Sequence, residues 1–458
     1  MAYTIEQSST GIHGVADDII YVVIDTTNTG ELNYRYVCSV NSGGSELIQL
    51  KQLPNNNGSA VFNIKNIVSN YVEQDENPYG LGATDLNGEL MTTKIFSENT
   101  TAYKSFSIVF GYEFSASISD APAQTLLPLQ AQAVSCINGN IQAATSNSPL
   151  NTGSTPYILG STTKLFLSDI EDGYITSILY QTGKTQRASL AFLNGSDISS
   201  LARYMHVSYF NESTALNTGY FQNINTNGGA APVAGLTDAQ TLLYVGVGTY
   251  NLESQAINSL LKPSDGGNTG WTHYYIQWSS ATTLSGFELS AAYKFERVTC
   301  GKYIADESAF SLHWWNSKGG IDNLPVLGKM SESQDMSKKD YRTSGGNSFN
   351  ANGSSTPYVK HSWEGGKRST DVLTTTTFRL STLGGNPDRL TPLIRSLANS
   401  SRVYISGKNK YGLNSAKQAN NLIQVYVKNT QVKYKSNIND RAATYELEVE
   451  VSRRRANP

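Results

Sequence analysis

The feature that most limits the fold of this chain is a long series of short segments in which apolar and polar residues alternate. Alternation with a period of two places the apolar side chains on one face of a β-strand. Between residues 163 and 295 such segments follow one another, separated by Asp-Gly, Thr-Gly, Asn-Gly and Asn-Gly-Gly turns at intervals typical of a β-sandwich. Helical spacing is confined to short stretches. The sequence therefore predicts an all-β fold with minor helix.

The 458 residues are enough for two to three consecutive β-sandwich-like domains. Residues 1–125 are predicted to form an N-terminal β domain. A segment with two prolines and few charges, residues 119–132, is predicted to be a linker or crossing segment. A middle β-sandwich over 133–298 and a C-terminal β domain over 299–458 complete the prediction.

Short amphipathic helices and long polar loops interrupt the strands. Apolar residues between Ile64 and Tyr71 have helical spacing over two turns. Asp388, a favourable N-cap residue, precedes a one-sided apolar stripe that predicts a helix over about 388–399. Residues 331–355 contain almost no apolar side chains and two glycine clusters. This tract is predicted to be an extended polar arm rather than part of the core.

A tryptophan-rich hairpin is predicted at residues 310–329. Trp314 and Trp315 end an alternating segment, and Gly319 and Gly320 supply the sharp reversal that follows. Because an indole has a large apolar area, at least one of the two rings is expected to be buried. Asp322 follows the glycines and is expected to hydrogen-bond the backbone of its own turn. These five residues are therefore predicted to form a structural or interaction element.

This hairpin is one part of a resemblance to a known family. A strand with Cys300 followed by Trp-Asn-x-x-Gly-Gly-x-Asp resembles a pattern in virion proteins of tailed phages, especially those of Bacteroidetes hosts and the crAss-like group. Residues 36–72 and 390–455 fit the same pattern, so that the resemblance covers about half of the chain.

The resemblance implies a non-enzymatic structural component of the virion, located in the tail, baseplate or neck. Such a protein is expected to form a homo-oligomeric ring and to dock onto other virion proteins. It would be made in the host cytoplasm, which agrees with an N-terminus that lacks the features of a signal peptide. The sequence also has no stretch of about 18 consecutive apolar residues, so no membrane span is predicted.

Composition fits this class but also a second one. Only 16% of residues are charged, against about 25% in average soluble domains, and Ser, Thr, Asn, Gly and 27 tyrosines take their place. Uncharged polar surfaces with tyrosine are also typical of proteins that bind carbohydrate. The alternative hypothesis is thus a carbohydrate- or receptor-binding module of the virion, in which Trp271 and Trp278, or Trp363, stack on a host glycan.

The charge balance gives no reason to expect nucleic acid or a membrane as the partner. The chain has 35 basic and 37 acidic residues and a net charge of −2. A small basic tail, Arg453, Arg454 and Arg455, is the candidate for docking to a partner subunit. The expected partners are therefore copies of the chain itself and other virion proteins.

No catalytic residue, cofactor or metal site is predicted. The five histidines lack metal-binding spacing, and Cys38, Cys136 and Cys300 lie far apart and are expected to be buried thiols. The densest acidic cluster, Asp169 with Glu171 and Asp172, is expected to be a solvated turn, with loose Ca²⁺ binding as the alternative. A third hypothesis, a β-rich glycan-degrading enzyme, requires two carboxylates that meet in a cleft. The sequence identifies no such pair.

Overall fold

The computed structural model confirms an all-β fold with minor helix. Strands dominate the chain, and the α-helices among the described residues are short. The structure describes residues 3–9, 11–73, 96–99, 102–139, 167–169, 175–181, 184–186, 188–193, 204–222, 242–255, 259–298, 310–326, 330–343, 366–382, 387–406, 423–428, 434–437, 442–451 and 455–456.

The N-terminal part contains two sheets, a three-stranded one in the order β1-β3-β6 and a six-stranded one in the order β2-β10-β8-β4-β5, with β9 paired to β8. Its elements are β1 (Tyr3–Gln7), β2 (Gly11–Gly14), β3 (Ile20–Asp25), β4 (Leu32–Ser42), β5 (Ser45–Gln52), β6 (Ser59–Asn63), α1 (Lys65–Val68), β7 (Phe96–Asn99), β8 (Tyr103–Ser115), β9 (Ala123–Leu126) and β10 (Gln132–Ile137).

One apolar core joins these two sheets, because alternate residues of their strands face each other. Among its largest side chains are Tyr21, Tyr36, Phe62, Phe106 and Phe110.

Two of the three cysteines lie in this core. Cys38 on β4 and Cys136 on β10 are buried free thiols, as expected from the sequence. Burial raises the pKa of each thiol to about 12. Cys300 lies outside the described residues.

The middle part contains a six-stranded sheet in the order β12-β11-β18-β17-β14-β15 and a three-stranded sheet in the order β13-β16-β7. Strand β7 therefore leaves the N-terminal part to pair here. The new elements are β11 (Ile175–Gln181), β12 (Lys184–Thr185), β13 (Ser189–Leu193), β14 (Tyr204–Asn211), β15 (Thr214–Gln222), β16 (Leu242–Gly246), α2 (Thr249–Gln255), β17 (His273–Ser279) and β18 (Tyr293–Val298).

The C-terminal part forms a nine-stranded sheet in the order β20-β19-β23-β24-β26-β22-β21, with β25 paired to β26 and β27 paired to β22. Its elements are β19 (Phe310–Trp315), β20 (Ile321–Val326), β21 (Met330–Thr343), β22 (Gly366–Ser381), α3 (Pro387–Asn399), β23 (Val403–Ser406), β24 (Ile423–Val427), β25 (Tyr434–Asn437), β26 (Ala442–Val451) and β27 (Arg455–Ala456).

Helix α3 occupies the stretch for which the sequence predicts an amphipathic helix. Its apolar side, Leu393, Ile394 and Leu397, is buried. This side belongs to a core that is continuous from Ile178 to Val451. The predicted boundary between the middle and C-terminal domains, at residue 298, therefore runs through a shared core. No helix within the described ranges is long and apolar enough to cross a membrane.

The prediction of a polar arm over 331–355 needs a correction in its first half. Residues up to Thr343 belong to β21, which pairs antiparallel with β22 from Met330 opposite Leu380 to Thr343 opposite Gly366. A strand with solvent on both faces needs no apolar alternation, and for this reason the sequence pattern does not reveal it. The remainder of the tract, 344–355, lies outside the described residues.

Candidate functional site

The turn between β19 and β20, residues 316–320, is held by an asparagine. The side-chain Oδ1 of Asn316 accepts hydrogen bonds from the backbone N–H groups of Lys318 at 3.0 Å and Gly320 at 2.8 Å. The Asn316 side-chain amide also donates to the carbonyl oxygen of Leu167 at 2.8 Å. Asn316, rather than Asp322, therefore stabilises this turn, which we call the junction turn.

Asp322 instead binds a segment that is distant in sequence. Its carboxylate accepts hydrogen bonds from the Ser168 hydroxyl at 2.6 Å and from the backbone N–H of Asp169 at 2.9 Å. The side chain is 1% exposed. Burial, together with the neighbouring Asp169 carboxylate, raises the pKa of Asp322 to about 7. Asp322 thus links β20 to residues 167–169.

Asp169 extends the same network to the junction turn and to helix α3. Its carboxylate accepts from the Ser317 hydroxyl at 2.7 Å and from the Ser317 backbone N–H at 3.0 Å, and also from the Ser396 hydroxyl. Ser396 in turn accepts from the indole Nε1 of Trp314 at 2.9 Å. Three separate parts of the chain, residues 167–169, the β19–β20 hairpin and α3, are joined by these few polar contacts.

Gly319 and Gly320 allow this junction because two other backbone segments pass against them. Gly319 has a φ of +85°, and a Cβ there would lie 2.2 Å from the carbonyl oxygen of Asn138. A Cβ on Gly320 would lie 2.0 Å from the carbonyl oxygen of Leu167. Since real Cβ contacts are never this short, only glycine fits at either position. Asn138 follows β10, so the turn also contacts the N-terminal part.

Both indoles of the hairpin are buried, which confirms the expectation that at least one would be. Trp314 is 0% exposed and Trp315 is 3% exposed. Trp314 lies in the large core, and its ladder partner on β20 is Asp322. The five hairpin residues singled out in the sequence therefore meet in one place, where they hold the structure together.

A cleft of about 520 Å³ opens beside this network. Most of its lining residues are small or polar, among them Asn138, Asp169, Ser396 and Asn399, and Val15 and Trp315 add apolar surface. Asp169 and Asp322 are neighbouring carboxylates here, the kind of pair that the enzyme hypothesis requires. Asp322, however, lies buried behind Asp169, whose own oxygens are bonded by Ser317 and Ser396. Within the described residues, these two carboxylates therefore have a structural arrangement: they accept hydrogen bonds that link residues 167–169 to the β19–β20 hairpin and to α3.

Trp271 and Trp278, the candidates for glycan stacking, lie in the core. They are 2% and 0% exposed. Trp271 packs among Tyr180, Tyr209 and Tyr274 with ring centroids 5.4–5.7 Å apart. Neither indole offers a face to solvent, because the face of β17 that carries Trp278 turns toward the core and Trp271, just before this strand, packs into the same core. The stacking assignment is therefore wrong for these two residues.

The remaining sequence candidates are only partly described. Arg455 begins β27 and lies opposite Thr374 of β22. Arg453, Arg454, Trp363, Glu171 and Asp172 lie outside the described residues.

A second candidate site, which the sequence indicated only as a polar arm, is the β21–β22 hairpin. From Ser331 to Tyr341 every side chain of β21 is exposed except that of Glu332, which is half-buried. Strand β26 pairs with the base of β22 at Thr377–Ser381, and β27 pairs at residues 373–374. Beyond Val372 the ladder consists of β21 and β22 alone among the described strands.

Strand β21 is also the edge of the nine-stranded sheet. No described strand pairs with its outer side, along 14 residues. Met336 and Tyr341 are 59% and 44% exposed on it. A long open edge with exposed apolar side chains is a typical binding surface for another strand.

No protein-family model matches the chain, and no match is found among curated proteins.

Proposed function

We propose that this protein is a non-enzymatic structural component of a phage virion, in the tail, baseplate or neck. It forms a homo-oligomeric ring and docks onto neighbouring virion proteins. The resemblance of the sequence to tailed-phage virion proteins supports the virion assignment. The single structural observation that supports an assembly role is strand β21 of the β21–β22 hairpin, whose side chains from Ser333 to Tyr341 are exposed and whose outer edge is paired with no described strand.

Such a hairpin is not expected to stabilise a single subunit. Ordering a residue costs about 1–2 kcal/mol of backbone entropy, and an isolated two-stranded hairpin is marginally stable in water. At about 3.4 Å per residue the 14 residues of β21 span roughly 48 Å. The described side chains of β21 from Ser333 to Tyr341 are exposed, so a partner along this strand would supply burial that offsets this entropy.

The rest of the subunit provides a fixed base for this hairpin. Phe378 and Leu380 of β22 are buried in the large core, and β26 pairs with this end of the strand. The same core contains Trp314, whose indole is bonded to Ser396. A hairpin that extends from such a core fixes the position of one subunit relative to a neighbour that binds it, as an assembly role requires.

The test shortens the hairpin without touching its base. Ser337 lies opposite Leu373 in the ladder, so residues 338–372 can be replaced by Asn-Gly, a favoured two-residue hairpin turn. The molar mass in solution, measured by light scattering, is expected to fall below that of the intact oligomer, because the subunits lose the contact that the hairpin makes. The midpoint of thermal unfolding is expected to stay the same.

A matched control replaces residues 344–365 by a Gly-Ser linker of equal length and keeps both strands, so its mass is expected to remain that of the oligomer. An intact chain that is monomeric at all concentrations and binds a glycan on an array would contradict the proposal. That result would favour the receptor-binding alternative.

A further inference from the structure

We propose that the occupant of the β21 edge is β21 of a second copy, paired antiparallel about a two-fold axis through Ser337. This inference rests on the proposed homo-oligomer and adds the strand, the register and the symmetry of one contact. It would join the nine-stranded sheets of two subunits into one continuous sheet.

The charges of β21 are distributed unequally along the strand. Its first half carries Glu332 and Asp335, and its second half carries Lys338, Lys339 and Arg342, with Asp340 as the exception. Antiparallel pairing of two identical strands brings each first half opposite the partner's second half. The strand is therefore complementary to itself in charge.

The register follows from this pattern. Because opposite residues share a face of the sheet, a two-fold axis normal to the sheet requires one residue to lie opposite itself. With Ser337 in that position, Asp335 lies opposite Lys339 and Glu332 lies opposite Arg342.

The neighbouring registers bring like charges together. An axis at Asp335, Lys338 or Lys339 places that residue opposite its own copy, and an axis at Met336 places Glu332 opposite Asp340. Like charges directly opposite each other are destabilising. Ser337 is the one centre between residues 335 and 339 without such a pair.

Within one subunit these charges are poorly matched at both ends of the hairpin. At the distal end the ladder places Arg342 opposite Lys367 and Tyr341 opposite Arg368. At the base, Glu332 lies opposite Phe378, and its Oε2 is buried without a hydrogen-bond partner. Burial also raises the pKa of Glu332. A second copy would bring the acid of one strand to the cation of the other.

The contact is isologous, since the same strand is used on both sides. It therefore joins subunits in pairs, or two rings face to face, and the contact that closes a ring lies elsewhere on the molecule. Pairing removes the open edge from both subunits, because each β21 becomes an interior strand.

Disulfide trapping tests the register directly, using the full chain with Cys300→Ser. In Ser337→Cys the two thiols face each other across the axis, where opposite Cβ atoms lie about 4.5–5.5 Å apart. In the control Ser333→Cys, on the same face of β21, the two thiols lie about 27 Å apart. We expect a covalent dimer of Ser337→Cys alone under mild oxidation. Equal trapping of both variants, or of neither, would overturn the register.

Charge reversal tests the same contact without a covalent bond. Glu332→Lys would place two cations opposite each other twice per interface, and we expect the association constant measured by light scattering to fall about tenfold. The double variant Glu332→Lys with Arg342→Glu is expected to restore it, since the position 342 partner within the chain is Lys367. An oligomer indifferent to both changes would overturn the β21 contact and leave the homo-oligomer intact. A monomeric intact chain would overturn both.

Discussion

The hairpin at the junction turn and the β21–β22 hairpin belong to the same sheet and are separated by only a few residues, yet their surroundings are opposite. At the junction turn, backbone from residues 138 and 167 closes on two glycines, and the side chains of Asn316 and Asp322 are hydrogen-bonded and buried. Along β21 every side chain from Ser333 to Tyr341 is exposed to solvent. The first hairpin is determined by the subunit itself, whereas the second presents a surface that a partner can order.

The largest effect is expected at Gly319. Gly319→Ala should lower the free energy of unfolding by about 3–5 kcal/mol, since left-handed strain of about 1–2 kcal/mol adds to a clash with the Asn138 carbonyl. Gly44 is a matched control, with a φ of +81° and open space around its Cβ position. Gly44→Ala should lose only about 1–2 kcal/mol, the strain alone. Denaturant unfolding gives both values, and equal losses would show that the junction is not tightly packed.

The second prediction concerns pH at Asp322. Its pKa is raised in the folded protein, so between pH 4 and 7 the folded state keeps a proton that the unfolded state releases. This stabilisation is complete below about pH 4 and is lost as the pH rises to about 7, by about 2–4 kcal/mol.

Asp322→Asn cannot titrate, so its stability relative to the natural protein should increase over that interval, on top of a constant difference from its altered hydrogen bonds. Calorimetry of the two proteins from pH 4 to 8 measures this slope. A difference independent of pH would contradict a raised pKa.

A moderate effect is expected for Trp314→Phe. The substitution removes the Nε1 donor to Ser396 and leaves a small void in the core. Ser396 still donates to Asp169, so only an acceptor loses its partner. We expect a loss of about 1–2.5 kcal/mol in denaturant unfolding. A loss above 4 kcal/mol would mean that the indole contact determines the position of α3.

The smallest effect is expected on the other hairpin. Met336→Ser and Tyr341→Ser should each change the free energy of unfolding of the separated subunit by less than about 0.5 kcal/mol, because both side chains lie on the exposed surface. Denaturant unfolding at high dilution measures this change. A loss of 2 kcal/mol or more in either variant would show that these side chains are buried in the subunit, and the contrast between the two hairpins would then disappear.

The sequence predicts where strands lie better than it predicts which residues pack or bond against them. Phe106, Ile108 and Phe110 alternate in the sequence, and all three are buried on β8. The identity of the partners depends on how sheets stack, which a local pattern does not contain. For this reason the sequence predicts that Asp322 bonds its own turn, whereas its partners are Ser168 and Asp169.

The same limit explains one error about exposure, at the tryptophans of the middle part, and one about secondary structure, at β21. An aromatic residue on an alternating strand fits either face, and the sheet order of the middle part puts Trp278 inside. Conversely, β21 has no apolar face, so no periodicity marked it as a strand. A polar strand becomes predictable only when its partner, the threonine-rich β22, is known.

Strand β7 has a consequence for how the chain folds during synthesis. It ends at Asn99, four residues before β8 of the N-terminal part begins, but it pairs with β16, where Phe96 lies opposite Val245. This partner is made about 150 residues later. At about 5–20 residues per second the ribosome needs roughly 7–30 s to produce it. During that interval the nascent chain holds an unpaired strand next to a nearly complete sandwich. We therefore expect full-length refolding to be slower than that of the N-terminal sheets.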